Sequence, residues 1–142
     1  MPMNTSRSQK WVLAANAALV ATSAVASLVG VVDPTLVLPD GSTAEDGLRL
    51  YAEGIAVRQL PLTAAVFVSL GGRHRRHLVP LLAVSAAAQA GDMVMGLTSR
   101  VPGMAIGGGV SAVVHLASAV WLGRGQASAS LTSAARPAPA AR

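Results

Sequence analysis

Four long apolar stretches, separated by short polar ones, set out the chain. Residues 11–32, WVLAANAALVATSAVASLVGVV, contain no charge. Residues 48–70, LRLYAEGIAVRQLPLTAAVFVSL, are mostly apolar but carry Arg49, Glu53 and Arg58. Residues 78–97, LVPLLAVSAAAQAGDMVMGL, and residues 104–122, MAIGGGVSAVVHLASAVWL, complete the set. A helix of about 20 residues, rising about 1.5 Å per residue, spans the roughly 30 Å hydrocarbon core of a bilayer. The pattern therefore predicts an all-α fold, a four-helix transmembrane bundle. Its spans are 11–32, 48–70, 78–97 and 104–122.

The polar stretches between them read as ends and connections. Residues 1–10 are a lead-in. Residues 33–47, DPTLVLPDGSTAEDG, hold the turn residues Pro34, Pro39 and Gly41, and four of the acids. Ser42 and Glu45 have the spacing of a capping box before the second helix. Pro80 falls in the first turn of the third helix, where proline is tolerated. Residues 98–103, TSRVPG, make a short hairpin. From Gly123 the chain is a low-complexity Ala/Ser/Pro tail, expected to be disordered over 123–142. The first span has a rival reading as a signal peptide cut after Ala24-Val25-Ala26, leaving three spans. The apolar run continues through Val32, which favours a retained helix.

Composition agrees with lipid as the solvent. Charged residues make up 12%, about half of what a soluble domain carries, and the mean hydropathy is +0.53. The net charge of +5 would suit nucleic acid, but aromatics at 3% are too few for base stacking, so no nucleic-acid partner is expected. There is no cysteine, which excludes disulfides, thiol catalysis and Cys-ligated metal. The positive charge falls where a topology signal would put it: at the N-terminus, in GGRHRRH at 71–77 and in the tail. The positive-inside rule then places both termini in the cytoplasm. Trp11 and Trp121 land at that interface and Tyr51 near the opposite one. Arg73, Arg75 and Arg76 are expected to touch the anionic headgroups of membrane lipids. The expected location is the plasma membrane, multi-pass. The high Ala, Gly and Arg usage points to a bacterial source.

Charge inside a span needs a partner on a neighbouring helix. Counting rise from each span's centre puts Arg58 within about 2 Å of the midplane and Asp92 about 6 Å toward the outside. Glu53 lies about 9 Å toward the outside, but five residues from Arg58 it points about 140° away from it. Arg49 and Glu53, four apart, can form an interfacial pair. The counter-ion of Arg58 must come from elsewhere, and Asp92 is the only acid after residue 53. Asp92 shares a stripe with Ser85, Ala88 and Gln89. His115 shares one with Ser111, Gly108 and Ser118, within reach of Gln59, Gln89 or Asn16. The candidate intramembrane polar site is therefore Arg58, Asp92, His115, Glu53 and Gln89.

Small residues recur at four-residue spacing: Ala83, Ala87 and Gly91 on the third helix, Gly103 and Gly107 on the fourth, Ala14 and Ala18 and then Ala26 and Gly30 on the first. Such stripes suit close helix approach, within the monomer or in a homo-oligomer. No His/Asp/Glu spacing resembles a zinc site. Gly107, Gly108 and Gly109 sit inside an apolar helix without the Lys-Ser/Thr of a phosphate loop. No catalytic residue, metal ligand or cofactor is assigned.

Three segments carry a resemblance: GLRLYAEGIAVRQL at 47–60, AQAGDMVMGL at 88–97 and GGGVSAVVHLASAVWL at 107–122. Together they resemble an uncharacterised family of small four-helix integral membrane proteins, a domain of unknown function, with a remoter likeness to DoxX-like membrane proteins. The resemblance covers about residues 11–122. It implies a recurring arginine in the second helix, aspartate in the third and histidine in the fourth, at Arg58, Asp92 and His115. Family members often carry an acid after the arginine, where this chain has Gln59. The family brings no activity, and the DoxX likeness would imply a redox-associated role. The first expectation is a structural or accessory membrane protein, not expected to be an enzyme, clamped by Arg58 and Asp92. The alternatives are a small proton-coupled carrier using Asp92 or His115, and a membrane oxidoreductase subunit.

Overall fold

A computed structural model describes residues 7–37, 46–71 and 75–134. It has four long helices: α1 (Arg7–Val32), α2 (Asp46–Leu70), α3 (Leu78–Thr98) and α4 (Pro102–Ala134). All four are long and apolar enough to cross a membrane. Short 3₁₀ turns follow α1 at Pro34–Val37 and precede α3 at Arg75–His77. The capping-box pair Ser42 and Glu45 lies outside the described residues, as does Arg73. The fourth helix continues past Leu122 to Ala134, into the segment read as tail.

The inside of the molecule is more polar than its outside. Among the described residues, eleven polar or charged side chains are buried against eight aliphatic ones, while twenty large hydrophobic side chains are exposed. Water would not tolerate that inversion; hydrocarbon favours it, because lipid solvates apolar side chains and buried polar groups find partners on neighbouring helices. Trp11 and Trp121 are among the exposed side chains, both toward the end of the bundle that carries the chain termini.

The helices form two antiparallel pairs. The α3–α4 pair is held by glycines. A Cβ at Gly108 would stand 2.7 Å from the Met93 backbone nitrogen and 2.8 Å from the Gln89 carbonyl oxygen. A Cβ at Gly96 would stand 2.8 Å from Ala105 Cα. The α3–α4 turn closes in a Schellman pattern, with Val101 N–H donating to Gly96 O at 2.8 Å and Arg100 N–H to Leu97 O at 3.4 Å. Arg100 takes the left-handed position there, φ 58°.

Most of the small-residue stripes are a correction for packing within the monomer, although Gly30 on α1 is buried. Ala83, Ala87, Gly91, Gly103, Gly107, Ala14 and Ala18 are exposed. A Cβ at Gly91, Gly103 or Gly107 would meet no atom within 4 Å. On α4 the buried face is the polar stripe of Gly108, Ser111, His115 and Ser118, as expected, and not the Gly103/Gly107 stripe; Gly108 is the glycine that faces α3. An apolar cluster of Val20, Val66, Leu78, Leu82 and Ala119 fills the bundle toward its terminal end.

Candidate functional site

The structure joins Arg58 on α2 to Asp92 on α3. Nη2 of Arg58 donates to Asp92 Oδ1 at 2.7 Å. Counted from the centres of the apolar windows Tyr51–Leu70 and Leu78–Thr98, Arg58 lies about 4 Å and Asp92 about 6 Å toward the end opposite the termini. The depths match, as the pair requires. The two side chains are unequally covered: Asp92 is 13% exposed and Arg58 44%. Two turns from Arg58 on the same stripe of α2, Tyr51 Oη–H donates to Met95 Sδ, one turn from Asp92 on α3, at 3.3 Å.

His115 finds Asn16. Its Nδ1 stands 2.7 Å from Asn16 Oδ1. The amide nitrogen of Asn16 donates to Val12 O at 2.8 Å and to Ser118 Oγ at 2.7 Å. Val12 O can only accept, so the Asn16 nitrogen must face it and its oxygen must face the histidine. His115 Nδ1 is therefore the donor in this contact. Both His115 and Asn16 are 1% exposed. The network ties α1 to α4, where helix contact is otherwise sparse.

A third group lies between these two. Gln89 Nε2 donates to Ser23 Oγ at 3.4 Å, linking α3 to α1. Gln59 Nε2 donates to Thr63 Oγ1 at 3.4 Å, and Thr63 Oγ1–H donates to the Val20 carbonyl at 3.2 Å, linking α2 to α1. Ser85, 2% exposed, is buried with no hydrogen-bond partner for its hydroxyl. The register set by Gly96 with Ala105 and Gly108 with Met93 places Ser85 across from His115. From Ser118 to Asp92 the polar groups thus step along the bundle axis over about 12 Å.

Of the predicted site residues, Arg58 and Asp92 are brought together, and Gln89 and His115 are buried in adjoining networks. Glu53 is exposed on α2, five residues and about 140° round the helix from Arg58. Its pairing with Arg49 lies outside the described side chains. Of the basic turn, Arg76 is exposed and its Nε donates to His77 Nε2 at 3.0 Å; the Arg75 side chain is outside the described residues. Ser23 and Thr63 are members that sequence reasoning left unassigned, and Ser118 was placed on the stripe of His115 without a partner. A serine or threonine in an apolar helix can satisfy itself on its own i−4 carbonyl, so its presence gives no partner. Among the described residues no three His, Asp or Glu side chains gather as metal ligands would.

No protein-family model, curated protein or solved structure matches this chain.

Proposed function

We propose that this is a multi-pass plasma-membrane protein of structural or accessory role, in which Arg58 and Asp92 clamp α2 to α3. The observation that carries the reading is the 2.7 Å ion pair between two helices that otherwise touch little, placed well inside their apolar windows. In this reading both termini are cytoplasmic, as the basic residues ask. Arg73, Arg75 and Arg76 then meet anionic headgroups on that side. The test is thermal unfolding in detergent. Arg58→Ala should melt well below wild type, and Asp92→Asn should lose less, because the amide still accepts a hydrogen bond. Equal melting temperatures for all three proteins would refute the clamp.

A second reading, a small proton-coupled carrier, is favoured by the polar ladder. Buried His115 and Ser85 lie at one level of the α3–α4 register, and Gln89 and Asp92 continue the line of buried polar groups. In that reading His115 or Asp92 exchanges a proton during transport. It is tested in pyranine-loaded proteoliposomes, by proton flux on addition of candidate solutes. Loss of flux in Asp92→Asn with the fold intact supports it; solute-driven flux that is unchanged in both Asp92→Asn and His115→Gln refutes it.

A further inference from the structure

Two stripes run along α2. The inward one is Ala52, Ala56, Gln59, Thr63 and Val66, all buried. The outward one, on the far side of the helix, is Gly54, Val57, Pro61, Ala64 and Val68, all exposed. Its members are spaced three, four, three and four residues apart. That alternation marks the a and d positions of a two-stranded coiled coil, a narrow apolar line that meets one partner helix. Val57 is 74% and Val68 64% exposed, and a Cβ at Gly54 would meet no atom within 4 Å.

The charges beside this line select what covers it. Between residues 50 and 70 the only charged residues are Glu53 and Arg58. Both are exposed, although Glu53 lies only about 11 Å and Arg58 about 4 Å from the centre of the window Tyr51–Leu70. Charge at such depth belongs against other protein rather than against lipid. Glu53 immediately precedes Gly54 and Arg58 immediately follows Val57, so the two hold the g and e positions on opposite flanks of the apolar line. Groups at g and e meet across a helix pair and not within one helix. In a parallel pair, g of one helix faces the e position five residues on in the other, and Arg58 is five residues after Glu53. The axial offset of about 7.5 Å is taken up by the lean of helical side chains toward the N-terminus, which carries the long Arg58 side chain back toward the level of residue 53.

Both groups have capacity for the contact. Of the five N–H donors of the Arg58 guanidinium, one is given to Asp92, and the side chain is 44% exposed. A carboxylate accepts from several donors at once, so Glu53 can take this one beside any contact in its own chain. Orientation is fixed by topology. The basic segments insert every copy the same way, so α2 helices facing each other across a two-fold axis along the membrane normal run parallel, at equal depth.

We propose that the outward stripe of α2 docks a second copy of this chain, giving a parallel, two-fold symmetric dimer closed by two reciprocal Arg58–Glu53 ion pairs. Each guanidinium then bridges Asp92 of its own chain and the partner's Glu53. The proposal rests on the membrane reading and keeps the clamp. Failure of the clamp shows in the melting of Arg58→Ala; failure of the dimer shows in proteins that retain both Arg58 and Asp92.

The experiment is cysteine cross-linking of the full chain in lipid vesicles, where the chain's own lack of cysteine leaves no background. On oxidation with copper phenanthroline, Val57→Cys and Ala64→Cys should each give a disulfide-linked species of twice the chain mass. Facing positions of a close helix pair come within the Cα separation of about 4.4–6.8 Å that a disulfide allows. Val113→Cys, at a position 69% exposed on α4, reports random collision and should cross-link at least tenfold more slowly. Adding Glu53→Gln to Val57→Cys should slow its cross-linking at least tenfold. Rates at Val57→Cys and Ala64→Cys no faster than at Val113→Cys would mean that lipid covers the stripe, and a product of any other mass would mean that a different protein does; either overturns the proposal. So would an undiminished rate in the Glu53→Gln background, because the charges would then not select the second copy.

Discussion

Adding one methyl group at Gly108 should open the α3–α4 pair. In Gly108→Ala the new Cβ would sit 2.7 Å from the Met93 nitrogen and 2.8 Å from the Gln89 oxygen. Both are backbone atoms within a helix, so neither can rotate aside. Ordinary contact would require the helices to part by about 1 Å, and close-packed interiors transmit such a shift rather than absorb it. Overpacking of this kind costs about 1–3 kcal/mol, and the rigid neighbours put Gly108→Ala near the upper end. Gly96→Ala should behave alike, since it faces the Ala105 backbone. Gly91→Ala and Gly107→Ala are internal controls: each meets open space. With a gain in helix propensity of up to about 1 kcal/mol, they should be neutral or stabilising. Gly109→Ala should fall between, because its nearest neighbour is the flexible Met93 sulfur at 3.1 Å. Unfolding by SDS in mixed micelles, followed by the fluorescence of Trp121 on α4, ranks the five variants. If Gly96→Ala and Gly108→Ala unfold at the same SDS fraction as the two controls, the close approach described above is wrong.

Other consequences follow from individual side chains. Asn16→Ala removes the partner of both His115 and Ser118 and should cost about 1–2 kcal/mol, the upper range for interhelical hydrogen bonds in membranes; the same micelle titration measures it. Arg100→Gly relieves the left-handed backbone at φ 58° and should raise stability by about 1 kcal/mol, read as a higher detergent melting temperature. Ser85→Ala deletes a buried hydroxyl that has no partner, so it should be neutral or stabilising by up to about 1 kcal/mol; a clear loss of stability would mean that the hydroxyl has a partner after all.

Some of the site could be read from composition and spacing. Arg58 found its partner by elimination, since no other acid follows residue 53, and rise per residue put the two within the reach of a long arginine side chain. His115 had three polar residues within reach, and nothing in the spacing selected Asn16. That choice depends on how far α1 and α4 are rotated about their own axes. The unequal cover of the ion pair was equally hidden: that Arg58 is half open while Asp92 is enclosed follows from where α3 leans on α2.

The length and spacing of the apolar runs were enough to count the helices, bound α2 and α3 within a residue or two, and name the intramembrane charges. Those properties follow from bilayer thickness and from the cost of charge in hydrocarbon, which act on each segment alone. The polar stripes of Ser85, Gln89 and Asp92 on α3 and of Gly108, Ser111, His115 and Ser118 on α4 marked the inward faces, but which partner each side chain meets was decided by assembly. A water-soluble helix announces its buried face by an apolar stripe. Here lipid and neighbouring helices are equally apolar, so that signal is nearly flat along all four. What turns Asn16 toward His115 is backbone proximity and hydrogen-bond geometry between chains of atoms distant in sequence.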